Sequence, residues 1–163
     1  MTLAYIGLGS NLSDPAAQIR QAVNHIKSIP NSQLKKISSL YFSRPMGPQD
    51  QPDYMNAVLA LNTQLSALAL LDHLQAIENN AGRVRKENRW GARILDLDII
   101  LFGNETINNE RLTVPHYGMK AREFVLIPLA EIAQTLLLPD GDRVAELAKN
   151  IATNDLKIHS QLD

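Results

Sequence analysis

The chain has 163 residues, with 16 Lys or Arg, 17 Asp or Glu, and no Cys. This length favours one domain, over residues 1–163, that buries its own core. The missing cysteines exclude disulfide scaffolds, thiolate zinc sites and cysteine nucleophiles. The formal net charge of −1 argues against a general binder of polyanions.

Neither a signal peptide nor a membrane span is expected. The first residues lack the basic region and the long apolar run of a secretory signal. No apolar run reaches the about 20 residues that a membrane helix needs. We therefore expect a soluble, cytoplasmic protein that does not bind membranes.

The chain begins with a strand pattern and a helix pattern. "LAYIGLGS" (3–10) indicates a strand. We interpret "GLGSN" (7–11) as a strand-to-helix turn, since it lacks the third glycine of a dinucleotide fingerprint and the Gly-Lys-Ser/Thr ending of a P-loop. Asp14 before Pro15 predicts a helix start, and helical spacing then continues until Pro30.

The next segments predict strand, strand, helix and strand. The two strand patterns occupy 34–43 and 56–65. Ser66 can cap a helix whose apolar stripe ends near Gly82, and the apolar segment 92–103 follows as a strand. The order βαββαβ predicts an α+β, ferredoxin-like fold: an antiparallel sheet with two helices on one face. The other face would be left for ligands or for the C-terminal tail.

The tail is expected to be partly helical. "GNETINNERLTVPH" (103–116) has the composition of turns and short strands. "MKAREFVLIPLAEIA" (119–133) is helical in pattern on both sides of Pro128, which we expect to break the helix. "DRVAELAKNI" (142–151) predicts a last short helix.

The strand at 92–103 contains two carboxylates, Asp96 and Asp98. Residues two apart in a strand point to the same face, with Cα atoms about 6.6 to 7 Å apart, so Leu95, Leu97 and Ile99 should point into the core. Two like charges side by side call for a cation between them. Arginine is one candidate and a divalent metal is the other, with oxygen ligands favouring Mg²⁺ or Mn²⁺. A structural alternative is an edge strand that uses charges against aggregation.

A basic segment precedes this strand. It holds five basic residues and one acidic residue: Arg83, Arg85, Lys86, Glu87, Arg89 and Arg93. A solvated loop would explain such a run. Carboxylate-bound metal beside arginines, however, suits a polyphosphate, whose oxygens the metal bridges and the guanidinium groups bind in pairs.

A second candidate pocket surrounds Tyr54 and Asn56. The segment 44–58 is rich in proline before a strand, and the two residues would share a face of that strand. An aromatic plane beside an amide suits a flat heterocycle, and Phe124 could supply a second plane. The structural alternative is a Tyr packed in the core with an Asn that caps a turn. Nearby polar residues that could meet a phosphate are Arg111, Thr113, His116, Tyr117 and Arg122.

Five segments resemble, in order, the 6-hydroxymethyl-7,8-dihydropterin pyrophosphokinases of folate biosynthesis. They are "AYIGLGSNL" (4–12), "GPQDQPDYMNAV" (47–58), "GRVRKENRWG" (82–91), "RWGARILDLDII" (89–100) and "ERLTVPHYGMKAREF" (110–124). The resemblance implies a ferredoxin-like fold and the transfer of pyrophosphate from ATP to the pterin hydroxymethyl group, with release of AMP.

The resemblance also implies roles for individual residues. Asp96 and Asp98 would hold two Mg²⁺ ions on the ATP phosphates, and Arg83 and Arg93 would act with them in catalysis. The pterin pocket would comprise Ser43, Met46, Tyr54, Asn56, Trp90 and Phe124, with Tyr54 and Phe124 on either side of the ring. The ATP site would comprise Gln75, Glu78, Arg85, Arg93, Ile99 (through its backbone), Arg111, Thr113, His116, Tyr117 and Arg122. Arg83, Arg85, Trp90 and Arg93 would lie on a loop that closes over the reactants.

Three other readings compete with this one. A nucleic-acid-binding ferredoxin-like module could use 83–93 as its basic patch, but such modules stack bases on sheet aromatics, and only eight residues here are Phe, Trp or Tyr. Another Mg²⁺-dependent phosphotransferase or nucleotidyltransferase would share the Asp-x-Asp pair but form a different product. A structural subunit would have no affinity for ATP.

The partners expected from the resemblance are ATP and a small pterin. We expect the chain to be a monomer and to bind no nucleic acid.

Overall fold

The computed structural model describes residues 1–11, 14–43, 54–81 and 94–162. The strands are β1 (Thr2–Ser10), β2 (Ser32–Ile37), β3 (Leu40–Ser43), β4 (Tyr54–Thr63), β5 (Asp96–Phe102), β6 (Ile107–Asn108), β7 (Thr113–Val114) and β8 (Lys157–Ser160). The helices are α1 (Pro15–Lys27), α2 (Ala67–Asn80), α3 (Glu123–Ile132) and α4 (Val144–Asn150), with a 3-10 turn at Met119–Ala121. No helix in these ranges is long and apolar enough to cross a membrane.

The main sheet has the expected topology. Its neighbouring strands, within the described residues, are β5, β1, β4, β3 and β8, and β2 also pairs with β4. All of these pairings are antiparallel. The predicted first and third strands lie at the centre, with the fourth beside the first and the second beside the third. The ferredoxin-like prediction is therefore confirmed, with the predicted second strand divided into β2 and β3.

Helices α1 and α2 cover one face of the sheet. The caps that start them are those expected: Asp14 accepts from the amide of Ala17 at 3.4 Å, and Ser66 from that of Ala69 at 3.1 Å. Their apolar stripes pack on the strands in the larger core cluster, in which Leu74 is fully buried. Burial of this stripe, more than helix propensity, holds such helices in place.

The tail covers part of the opposite face. Val125, Leu126 and Leu129 of α3 and Val144 of α4 pack with strand residues in a second core cluster. The part of this face that the cluster leaves open carries the candidate site.

Two local expectations were wrong. Gly7 and Gly9 do not form a turn: both lie inside β1, hydrogen-bonded to β4 on one side and β5 on the other. Pro128 does not break its helix but lies within α3. Its missing N–H removes one backbone bond, while Leu126 and Leu129, both fully buried, hold the helix on the sheet on either side of it.

Candidate active site

The two carboxylates project from the first half of β5. Asp96 is half-buried and Asp98 is exposed, whereas Leu95, Leu97 and Ile99 are 1, 3 and 2% exposed in the core beneath α1 and α2. The predicted alternation is therefore confirmed. One face of the strand forms core and the other presents two carboxylates to the open part of the sheet.

A bulge ends this alternation. Ile99 pairs with Ile6 and Leu101 pairs with Tyr5, so Ile100 is an extra residue in β5. Ile100 and Leu101 both pack into the cluster beneath α3. The face that carries carboxylates at the start of β5 therefore becomes apolar within two residues of Asp98.

Glu78 bonds to the edge of β5, which is the last strand on that side of the sheet among the described residues. It is 4% exposed near the end of α2, and its carboxylate accepts a 2.8 Å hydrogen bond from the amide of Leu97, between the two aspartates. Such a charge-assisted bond stabilises the strand at that point. Because alternate residues of a strand direct their backbone groups to the same side, the Ile99 backbone lies along the same free edge, as the adenine contact would require.

The pterin-pocket residues expected on β4 and β3 are adjacent. Tyr54 is the first residue of β4, so it shares a face with Asn56 as expected. The Asn56 amide, 6% exposed, donates to the hydroxyl of Ser43 at 3.3 Å. Asn56 lies opposite Gly9 of β1, and Gly9 lies opposite Asp96 of β5. The sheet therefore places the amide and the first carboxylate on one row.

Aromatic and cationic groups of the tail stack on one another. The Arg122 guanidinium carbon lies 5.8 Å from the ring centroids of both Tyr117 and Phe124. The rings of His116 and Tyr117 stack with centroids 4.8 Å apart. Tyr117 is 83% exposed, so this group presents an open aromatic and cationic surface.

His116 is fixed next to β5. Its amide donates to the carbonyl of Ile100 at 2.9 Å, and its Nδ1 accepts from the amide of Gly118 at 3.1 Å. The neutral ring therefore carries its proton on Nε2, as a donor. Burial lowers the pKa of His116, which the charge of Asp98 opposes and that of Arg122 reinforces.

Arg111 is attached to α2. It forms a 2.6 Å ion pair with Asp72 and a 3.1 Å hydrogen bond to the side chain of Gln75. Thr113, in β7, is exposed on the same connection. Three of the residues expected at the ATP site thus lie on α2 and the segment beside it.

Comparison with known proteins assigns the family. Residues 5–134 match the family described as 7,8-dihydro-6-hydroxymethylpterin-pyrophosphokinase. A 2-amino-4-hydroxy-6-hydroxymethyldihydropteridine pyrophosphokinase of Haemophilus influenzae is 55% identical over 156 residues, covering 96% of this chain and 97% of that protein. The chain belongs to this pyrophosphokinase family. The Pseudomonas aeruginosa pyrophosphokinase is 53% identical over 143 residues, covering 88% of each chain.

Solved structures agree on the fold. A crystal structure of an HPPK-DHPS in complex with substrates has a TM-score of 0.70 at 12% identity, covering 91% of this chain and 45% of that one. Plasmodium falciparum HPPK-DHPS with pterin and p-hydroxybenzoate also gives 0.70, at 14% identity, covering 91% and 42%. This chain thus spans less than half of those chains, and likeness at such identity supports the fold alone.

The expected site residues that lie outside the described residues are Met46, Arg83, Arg85, Trp90 and Arg93. Within the described ranges, no group of three His, Asp or Glu side chains could hold a metal. The part of the site that is described is therefore the carboxylate pair, the pocket on β4 and the tail.

Two residues that shape the candidate site were not predicted from the sequence. Gly9 lies on the floor of the site, where a turn was expected. Glu131 of α3 accepts from the backbone amide of Ser39 at 3.0 Å and from the hydroxyl of Tyr41 at 2.6 Å. This contact holds the helix that carries Phe124 against β3. Its partners are about 90 residues apart in the chain, so no local pattern could reveal them.

Proposed function

We propose that this chain transfers the pyrophosphoryl group of ATP to the hydroxymethyl oxygen of 6-hydroxymethyl-7,8-dihydropterin, giving the pterin diphosphate and AMP, a step of folate biosynthesis. Family membership over residues 5–134 supports the reaction. The observation that carries it in the molecule is the row formed by Asn56, Gly9 and Asp96, which places the amide of the proposed heterocycle pocket in line with the first carboxylate of the pair.

Two Mg²⁺ ions would be held by Asp96 and Asp98. The donor set fits: both carboxylates are on one face, and Asp98 is exposed. Since the described residues offer no third acidic or His ligand, phosphate oxygens and water would complete the coordination, as is usual for Mg²⁺. When bound, such ions neutralise phosphate charge and align the attacking and leaving oxygens.

The pterin would lie between Tyr54 and Phe124. Asn56 would bond its edge, and Ser43 holds the Asn56 amide by the 3.3 Å contact. Met46 and Trp90 are proposed as further pocket residues from the resemblance. The ring would thus be oriented with its hydroxymethyl group toward the aspartates, which supplies the proximity that the transfer needs.

ATP would extend from the free edge of β5 to the tail. Gln75, Arg111 and Thr113 would form its outer side, and the Ile99 backbone would meet the adenine. His116, with its proton on Nε2, would donate to a phosphate oxygen, beside Tyr117 and Arg122. Arg85 is proposed for the same site from the resemblance. Glu78 is proposed for it too, where it would hold β5 in place through its bond to the Leu97 amide. Arg83 and Arg93 would stabilise the charge that develops during transfer.

We propose further that the chain acts as a monomeric, cytoplasmic enzyme of one domain. Size-exclusion chromatography with light scattering tests the first point. A dimer or larger oligomer at the concentration of the activity assay would contradict the monomeric state.

Nucleotide product analysis tests the reaction. The protein is mixed with ATP, Mg²⁺ and 6-hydroxymethyl-7,8-dihydropterin, with one control lacking pterin and one containing EDTA. We expect AMP only when pterin and metal are both present. ADP or free pyrophosphate as product would favour a different phosphotransferase with the same Asp-x-Asp pair, and pterin-independent turnover would contradict the pterin pocket.

A further inference from the structure

A row of three residues crosses the part of the sheet face that the second core cluster, within the described residues, leaves uncovered. Asn56 of β4, Gly9 of β1 and Asp96 of β5 lie directly opposite one another in the antiparallel register. Neighbouring Cα atoms in such pairs are about 4.5 to 5.5 Å apart, so Asn56 and Asp96 are separated by about 10 Å. Because Gly9 has no side chain, nothing from its own strand fills the space between them.

The oxygen of the Asn56 side chain faces this gap. The amide nitrogen is engaged by Ser43 on the other side. A Cβ atom placed on Gly9 would lie 3.3 Å from Asn56 Oδ1 and 3.9 Å from the carbonyl oxygen of Met55. The gap therefore presents a hydrogen-bond acceptor above bare backbone, and it suits a ligand edge that carries N–H donors.

Two aromatic side chains indicate the orientation in which a flat ligand would bind. Tyr54 stands two residues from Asn56 on the same face of β4, and Phe124 belongs to α3, which packs on that face of the sheet. A flat ring held between two such planes has its edge toward the sheet. A side chain at the floor of the pocket would then oppose that edge and not the face of the ring.

We propose that Gly9 sets the depth of the pterin pocket: the absent side chain lets the N–H edge of a fused-ring heterocycle reach the backbone of β1 and the Asn56 oxygen. This inference rests on the proposed function, because it takes the pterin as occupant. Gly9 is thus a specificity-determining residue whose contribution is the space that it leaves empty.

Gly7 provides a matched control on the same strand and the same face. It lies opposite Val58 and Asp98, one row further along the sheet. A Cβ atom there would lie 3.1 Å from the terminal methyl of Ile100. The added carbon would press on the flexible end of a core side chain, away from Asn56.

Equilibrium binding to Gly9→Ala and Gly7→Ala tests the proposal. Pterin affinity is measured by titration in the presence of Mg²⁺ and a non-hydrolysable ATP analogue, and affinity for the analogue is measured separately. We expect Gly9→Ala to weaken pterin binding by about tenfold to hundredfold, from overpacking and a strained hydrogen bond, with unchanged affinity for the analogue. Gly7→Ala should leave pterin affinity as in the wild type.

A second arm uses the wild-type protein and does not depend on the folding of a variant. A pterin methylated on the ring nitrogen of its N–H edge replaces the parent compound, and binding should weaken by at least about tenfold. Wild-type pterin affinity in Gly9→Ala, or undiminished binding of the methylated pterin, would overturn the proposal. A wild-type protein that binds ATP but no pterin at all would instead contradict the proposed function.

Discussion

Replacement of Glu78 separates a positioning role from a direct contact with ATP. Glu78 is 4% exposed, and its carboxylate accepts a 2.8 Å bond from the amide of Leu97. In Glu78→Leu the amide loses this acceptor at a buried position, which costs about 1 to 3 kcal/mol. Removal of a buried charge returns part of its desolvation cost. We expect a net loss of about 1 to 2 kcal/mol in the free energy of unfolding.

The matched variant is Glu78→Gln, which keeps the shape and one acceptor oxygen. We expect it to retain most of the stability and turnover that Glu78→Leu loses. Because the Leu97 amide lies between Asp96 and Asp98, its release should also disturb the carboxylate pair. Glu78→Leu should therefore lower kcat and raise the Mg²⁺ concentration needed for half-maximal activity, with a smaller effect on ATP affinity.

Urea unfolding and steady-state kinetics at varied Mg²⁺ measure both effects. Two results would refute the reasoning. Wild-type stability and Mg²⁺ dependence in Glu78→Leu would show that the bond positions nothing. A loss of ATP affinity in Glu78→Gln at unchanged stability would show that the carboxylate contacts ATP directly.

Other consequences can be measured independently. Asp96→Ala and Asp98→Ala should each remove nearly all turnover while circular dichroism and the unfolding midpoint stay near wild type; full activity in either would contradict the metal assignment. Burial and the carboxylate hydrogen bond raise the pKa of Tyr41 above its ordinary value of 10.0, so the unfolded state loses this proton first and stability should fall as pH rises above about 10. Tyr41→Phe should reduce that fall, and an unchanged pH profile of urea unfolding would exclude the effect. Leu74→Ala, at a fully buried position, should lower the unfolding free energy by about 2 to 5 kcal/mol, whereas Leu68→Ala on the same helix, at a site 38% exposed, should cost far less; equal losses would be inconsistent with the packing described.

The parts of the fold that were predictable from sequence depend on short-range periodicity. Asp14 and Ser66 predict where their helices begin, because a capping side chain bonds to backbone donors within one turn. The alternation around Asp96 and Asp98 fixes which face of β5 is core, since side chains in a strand alternate strictly. These features were predicted correctly because local chemistry and the final packing agree.

The misplaced features depend on partners that are distant in the chain. The glycines of "GLGSN" have the composition of a turn, yet pairing of β1 with a strand on each side keeps Gly7 and Gly9 extended. Pro128 is tolerated in α3 because packing on the sheet compensates for one missing backbone bond. In both cases tertiary contacts outweigh the local preference.

The short strand β3 links the two sides of the proposed pterin pocket. Ser43 at its end holds the Asn56 amide, while Tyr41, opposite Asn56 in the register, binds Glu131 of α3. The same strand therefore supports the polar edge of the pocket and anchors the helix that carries Phe124. A shift of β3 would move both together, so the spacing between amide and ring is set by one element.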